Sequence, residues 1–254
     1  MNYTVHKAFQ KDEQQLTSYI VNYETTGENF GNQDRNSLKL FDLNGLTINV
    51  KSFKVPNVIN QVAYRFLRKS KAQRSYEYAN RLLDLGIGTP KPIAFYEYKT
   101  AFSFKKSYYI SEHLPYDLTY RELTFDFTML SHEAILRAFT RFTFRLHEAG
   151  VNFLDHSPGN TLIQLNDGKY KFFLVDLNRM EFGDMDFETR IKNFARLTIH
   201  KSMVEIMSDE YAKLSGYNYK RVFNLMWEET EAFQQRFHKK RRLKNKLMFW
   251  RKNK

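Results

Sequence analysis

The stretch VNFLDHSPGNTLIQLNDGKYKFFLVDLNRM, residues 151–180, holds the pattern on which the reading of the whole chain turns. Asn160–Leu165 and Lys169–Val175 are rich in strand-favouring residues, and Asp167-Gly168 between them is a strong two-residue hairpin signal. Asp155 and Asn160 stand five apart across His156-Ser157-Pro158-Gly159, just ahead of that hairpin, and Asp176 closes it. Folding the hairpin brings the loop before it and its far end to one edge, where three polar groups converge. Phosphoryl transfer needs such a set: a carboxylate that accepts a hydroxyl proton, and an amide oxygen with a second carboxylate for hard Mg²⁺ ions. Taken alone, an Asp and an Asn at this spacing are common, and the bland reading is a turn that Asp155 caps and Pro158-Gly159 bends.

Two earlier features, in the right chain order, weigh against the bland reading. Val50-Lys51 ends an apolar-alternating run, where the protein-kinase fold carries the lysine that pairs with phosphates, and Lys54 is the alternative. A strand lysine is otherwise a solvated surface residue. Its expected partner is a glutamate on the next helix, and Glu77 is the only acidic residue between Val55 and Leu83. The competing account of Glu77 is local charge balance with Arg74 or Arg81. Lys51, Glu77, Asp155, Asn160 and Asp176 agree in order, spacing and element type, which predicts an α+β, two-lobed, protein-kinase-like fold.

Working outward, SLKLFDLNGLTINVKSFK (37–54) predicts strands at 37–42 and 46–54 around Asn44-Gly45. Tyr19–Tyr23 reads as an earlier extended piece, and Gly27–Gly31 as a polar loop. Ala72, Tyr76, Ala79 and Leu83 share one face of a helix predicted over 71–85, which Gly86 and Pro90 stop. Strands at 93–98 and 107–112 complete an expected sheet of about five strands with one helix against it. Ser131 is the expected N-cap of a helix carrying Ile135, Phe139, Phe142 and Leu146, ending at Gly150, and from Asp186 onward the pattern is helical. The expected organisation is a β-rich, ATP-binding region at 1–113, a helical region with the catalytic loop and metal site at 114–235, and a basic tail at 236–254.

The runs Ile48–Lys54, Ser70–Glu77, Asp155–Asn160 and Val175–Arg179 resemble the lipopolysaccharide kinase family, the Kdo and heptose (WaaP-type) kinases, over about residues 30–200. The Asp/Asn/Asp set belongs to all kinase-like folds, whereas the Ser-Pro-Gly loop and the Asp-Leu-Asn-Arg ending point to this branch. The resemblance implies ATP-dependent phosphorylation of an inner-core sugar hydroxyl in lipopolysaccharide, at the cytoplasmic face of a membrane. It implies that Asp155 is the catalytic base, that Asn160 and Asp176 are the Mg²⁺ ligands, and that Lys51, held by Glu77, anchors ATP. Glu112 and Leu114, where the last predicted strand of the first region runs out, join the ATP-binding candidates. Phe153 stands where protein kinases carry His, Leu177-Asn178 replaces Phe-Gly, and there is no G-x-G-x-x-G, all of which argues against a protein kinase. Little chain remains for a peptide-docking segment. His156, Arg179 and Arg190 are therefore candidates for binding a carboxylate or phosphate on a small or membrane-presented acceptor.

Composition narrows the alternatives. The chain has 254 residues, 42% of them hydrophobic, enough for a sizeable core, and no cysteine, which removes thiolate catalysis and Cys-based metal sites. Nothing resembles a signal sequence or a membrane span, so a cytoplasmic location is expected. Of 40 Lys and Arg, ten fall in residues 236–254 without one acid, and removing them leaves 30 bases against 28 acids. With Leu243, Leu247 and Trp250 on one face, this segment is expected to bind an anionic membrane peripherally rather than nucleic acid, and no protein partner is implied. The rival from another class is a pseudokinase, a nucleotide-binding scaffold held at an anionic membrane.

Overall fold

The computed structural model describes residues 1–31, 36–66, 68–166 and 168–247. Two compact units emerge, one of residues 1–115 with 173–179, the other of residues 116–172 with 180–254. The chain leaves the first unit after Pro115, and seven residues around Asp176 return to it.

In the first unit β1 (Asn2–Val5) leads to α1 (Glu13–Val21), β2 (Glu28–Asn29), β3 (Asn36–Leu43) and β4 (Leu46–Phe53). Helices α2 (Val58–Phe66) and α3 (Lys71–Asp84) follow, then β5 (Pro92–Lys99) and β6 (Phe104–Glu112). The strands form one antiparallel sheet in the order β1-β5-β6-β4-β3-β2, six rather than the five expected. The Asn44-Gly45 turn is made as predicted, with both residues at positive φ, 55° and 87°. Of Tyr19–Tyr23, predicted extended, Tyr19, Ile20 and Val21 are the end of α1. Leu16, Ile20 and Tyr23 recur at helical spacing and all three are buried against Phe41, Ile48, Val50 and Tyr96 on the sheet. Burying such side chains is worth about 1.5–3 kcal/mol each, which outweighs the β-propensity of a short Tyr-Ile-Val run. Gly27–Gly31, expected as loop, contributes β2.

Helix α3 begins where Ser70 Oγ accepts the Gln73 N–H, and ends at Gly86, φ 70°. Its buried face is Ala72, Ser75, Ala79 and Leu82; Leu83, placed on that face by the sequence reading, is exposed. The stripe turns by one residue because Ser75 and Leu82 are seven apart, nearly two full turns.

The second unit opens with β7 (Leu118–Thr119) and α4 (His132–Glu148), then β8 (Val151–Phe153), β9 (Thr161–Asn166) and β10 (Lys169–Leu174), whose last two residues are counted with the first unit. It continues with β11 (Met180–Phe182), α5 (Phe187–Lys192), α6 (Lys201–Ser215) and α7 (Tyr219–Leu247). The β9–β10 hairpin matches the predicted strands to within a residue, with Gly168 at φ 77°; its Asp167 lies outside the described residues. On α4, Ile135, Phe139, Phe142 and Leu146 are all buried as predicted, and Phe142 stacks on Phe172, with ring centroids 5.5 Å apart. Ser131 precedes α4 but its side chain makes no cap hydrogen bond. Strand β11 interrupts the run into the final helices by pairing with β8, Met180 opposite Phe153. The basic segment from Arg236 to Leu247 is the continuation of α7 rather than a separate tail. Residues 248–254, with Trp250, lie outside the described residues.

Candidate active site

The first unit presents Lys51 from the centre of its sheet. Lys51 sits on β4 opposite Leu38 of β3 and Tyr109 of β6, so its backbone is locked on both sides. Its Nζ reaches Asp176 Oδ1 at 2.8 Å, and the lysine side chain is 16% exposed, far from the solvated state of an ordinary surface lysine. Lys54, the alternative, is exposed and lies beyond the end of the strand.

Asp176 is fixed from three directions. The end of β10 is anchored where Leu174 N–H donates to Gly88 O at 2.8 Å and Thr89 Oγ1 donates to Leu174 O at 2.8 Å. Two residues on, Asp176 adopts φ 58°, a left-handed conformation that Asp tolerates better than most residues and that recurs at functional sites. Asn178 Nδ2 then donates to the same Oδ1 that Lys51 holds, at 2.7 Å. That leaves Oδ2 as a hard oxygen donor. Asn178 was not singled out from sequence; the signal present was only its place two residues after a candidate metal aspartate.

Glu77 does not hold Lys51 here. Its two carboxylate oxygens accept from Lys69 at 2.9 and 2.8 Å, and Gln73 Nε2 adds a third bond at 3.0 Å. Glu112, at the end of β6, is paired opposite Ile48, its N–H donates to Lys91 O at 2.9 Å, and its carboxylate lies 3.4 Å from Lys91 Nζ. Leu114 follows just beyond the strand, half-buried, and its peptide groups meet no partner among the described residues.

The second unit holds the loop between β8 and β9. Pro158–Asn160 forms a single tight turn in which Asn160 N–H donates to Ser157 O, at 2.9 Å. Asn160 Nδ2 donates to Asp155 O at 2.8 Å, which ties the two ends of the loop and turns the amide oxygen away from that bond. Arg196 Nη1 donates to Asp155 Oδ1 at 2.6 Å and to Leu154 O at 3.2 Å, while its guanidinium lies 5.2 Å from the Phe233 ring centre. The candidate base is thereby oriented by an arginine that sequence reading missed, 41 residues further along.

Below the loop lies a buried histidine pair. Asn193 Nδ2 donates to Asn152 Oδ1 and to Phe153 O, both at 3.0 Å, which makes Asn193 Oδ1 the acceptor for both rings. His156 Nδ1–H donates to it at 2.8 Å and His147 Nε2–H at 3.3 Å, and Tyr211 OH in turn donates to His147 Nδ1 at 2.9 Å. Burial pushes His156 down to about 4 and His147 down to about 3, against the opposing pull of the Asn193 bonds. His156 is 1% exposed, so the acceptor role proposed for it from sequence is corrected: it packs between Phe139 and Phe153 and supports the loop from behind. Arg190 is corrected likewise, since Nη1 is engaged by Glu148 and Nε by Met185 O at 3.0 Å. Arg179 is exposed in the first unit and remains a candidate.

The oxygens of Asn160 and Asp176 fit Mg²⁺ by chemistry, being hard, uncharged-amide and carboxylate donors of the kind such ions take. Among the described residues no group of three or more His, Cys, Asp or Glu is positioned to hold a metal by itself.

A sequence model described as "Lipopolysaccharide kinase (Kdo/WaaP) family" matches residues 47–223. No curated protein matches the chain. Among solved structures, one described as WaaP in complex with acyl carrier protein aligns with a TM-score of 0.65 and 14% identity, over 94% of this chain and 99% of that one. A MAP kinase from Leishmania major aligns with a TM-score of 0.48 and 15% identity, over 85% of this chain and 66% of that one.

Proposed function

Because the chain belongs to the lipopolysaccharide kinase (Kdo/WaaP) family, we propose that it moves the γ-phosphoryl group of ATP to a Kdo or heptose hydroxyl of the lipopolysaccharide inner core, at the cytoplasmic face of a membrane. As a family member it is a phosphotransferase with an alcohol acceptor; the sugar, the metal and the place of action are the proposal. The observation that supports it best is the Lys51–Asp176 pair at 2.8 Å, between residues 125 apart in sequence, with Asn178 on the same oxygen.

In this reading Lys51 neutralises phosphate oxygens of ATP, and the peptide groups of Leu114, with Glu112 beside them, take the adenine edge. Asp155, held by Arg196, removes the proton from the acceptor hydroxyl as that oxygen bonds to the γ-phosphorus. The bond from the γ-phosphorus to its bridging oxygen breaks and ADP leaves with the electron pair. Asn160 and Asp176 would hold Mg²⁺, which when bound offsets charge on the phosphate oxygens. The bulk of the acceleration comes from positioning and fixed charge.

The test is transfer of ³²P from γ-labelled ATP with Mg²⁺ to purified lipid A–core acceptors, run beside Asp155→Ala and Asp176→Ala. Label in the glycolipid with the wild type and in neither variant is the expected result. Label in none, with nucleotide still bound to the wild type, overturns the kinase reading in favour of a scaffold. The expectation of no protein partner is set aside, because the WaaP structure was solved with acyl carrier protein. We extend that partnership to this chain as a proposal, to be checked by co-elution of the two purified proteins.

A further inference from the structure

With His156 buried and Arg190 engaged, Arg121 is a further cation of the second unit, among the described residues, that reaches the Asp155–Asn160 loop. Strand β7 pairs with the start of β9, Thr119 opposite Leu162, and Tyr120 N–H donates to Thr161 O at 3.0 Å. This pairing sets Arg121 beside the residues that immediately follow Asn160. The turn that carries it is stiff. Thr119 donates to Glu122 Oε2 through both N–H (2.8 Å) and Oγ1 (2.6 Å), Arg121 N–H donates to Thr119 Oγ1 at 3.2 Å, and Thr124 Oγ1 donates to Arg121 O at 2.7 Å.

The side chain then crosses over the loop. A Cβ built on Gly159 would stand 2.8 Å from Arg121 Nη2, 3.7 Å from Cζ and 3.8 Å from Nε, so the guanidinium lies against the glycine and only a residue without a side chain permits that approach. Arg121 is solvent-exposed, and no carboxylate among the described residues pairs with its guanidinium. Arg196, by contrast, is spent on Asp155, and Arg137 on Glu133, Asp209 and Glu210. A planar fork of donors at a reactive loop, fixed at its backbone and lacking an internal counter-ion, is suited to a planar or tetrahedral oxyanion.

Resting on the kinase reading above, we propose that Arg121 is a specificity-determining residue that binds an anionic group of the acceptor, a sugar carboxylate or a phosphate, and so orients the acceptor hydroxyl at Asp155. Gly159 serves that role by letting the guanidinium lie on the loop.

The test compares wild type, Arg121→Ala, Arg121→Lys and Gly159→Ala in steady-state transfer to a lipid A–core acceptor, to the same acceptor with its sugar carboxylates reduced, and to the same acceptor dephosphorylated. Arg121→Ala should raise the acceptor KM at least tenfold, with the KM for ATP within twofold of wild type. Arg121→Lys should recover only part, because a point charge does not reproduce the fork. Gly159→Ala should move the acceptor KM in the same direction with little change in unfolding midpoint, since what it displaces is the end of a flexible side chain. The gap between wild type and Arg121→Ala should close on whichever acceptor has lost the recognised anion, carboxylate or phosphate, which identifies the source. A gap that persists on both altered acceptors, or a rise in the KM for ATP in place of the acceptor KM, overturns the assignment. If wild type labels no glycolipid at all, the kinase reading fails. Direct binding of a fluorescent lipid A–core acceptor then decides the arginine's role: equal affinity of wild type and Arg121→Ala, or binding by neither, overturns it.

Discussion

A carboxylate that accepts a proton has to be aimed before the substrate arrives, and for Asp155, the base in the proposed reaction, Arg196 at 2.6 Å supplies that aim. Replacing Asp155 by Asn keeps the shape and removes the proton acceptor. The expected result is a fall in kcat of about 10²- to 10⁴-fold with nucleotide affinity retained, read by steady-state transfer and equilibrium dialysis with ATP. Asp176 raises a different question, because one oxygen receives both Lys51 and Asn178. Asn178→Ala removes a charge-assisted bond worth ~1.5 kcal/mol, so the Mg²⁺ concentration for half-maximal transfer should rise about tenfold. An unchanged Mg²⁺ requirement would mean that Asn178 only packs. At this scale the sequence disclosed residue types and their order: Lys51, Asp155, Asn160 and Asp176 are all set in loops or strands of the predicted kind. It did not disclose their partners, since Arg196 is 41 residues from Asp155 and Asp176 is 125 from Lys51, beyond any local pattern. Glu77 shows the cost of arguing by elimination. It was the only acid in range, but Lys69, eight residues before it, is a nearer cation than Lys51.

Elements were legible where a local rule acts alone, as in the Asn44-Gly45 hairpin, the stop of α3 at Gly86 and the apolar stripe of α4. They were illegible where tertiary burial chose between two local options, as for α1, or where a strand of three residues exists only by pairing across the fold, as β11 does with β8. The loop between β8 and β9 depends on a feature of that second sort, the His147–Asn193–His156 cluster. Both rings are neutral in the fold, with values pushed from about 6.5 down to about 3 and about 4. Between those values and 6.5 the unfolded chain binds more protons than the native one, so stability rises with pH across that window. It is fully present above about pH 6.5 and drains as the pH falls toward 4, by up to about 1.4 kcal/mol per pH unit for each histidine. Urea unfolding at pH 7, 6 and 5 should give this descent, and His156→Gln, which cannot charge, should make it shallower. A profile equally steep in that variant would place the acid sensitivity elsewhere.

Across the whole molecule, charge and packing are divided at one point along α7. Val222, Met226 and Thr230 are buried against the rest of the second unit, whereas every side chain from Arg236 to Lys246 is exposed. The same stretch begins the basic run that leaves the remainder of the chain nearly neutral, with 30 bases against 28 acids. A helix end that buries nothing contributes little to folding, and no helix among the described residues is long and apolar enough to cross a membrane. Its cations gain about 1 kcal/mol each near an anionic leaflet, so three of them in contact already amount to about a hundredfold in affinity. Deleting residues 239–254 should therefore leave the thermal midpoint within about 2 °C, as expected for a change well under 1 kcal/mol in a chain of this size. The same deletion should abolish sedimentation with phosphatidylglycerol vesicles at low salt, and raised salt should weaken binding of the full chain as screening shortens the reach of each charge. Undiminished vesicle binding by the shortened chain would move the membrane contact off α7, and tighter, steeply salt-dependent binding of the full chain to RNA than to vesicles would replace the membrane by nucleic acid as its anionic partner.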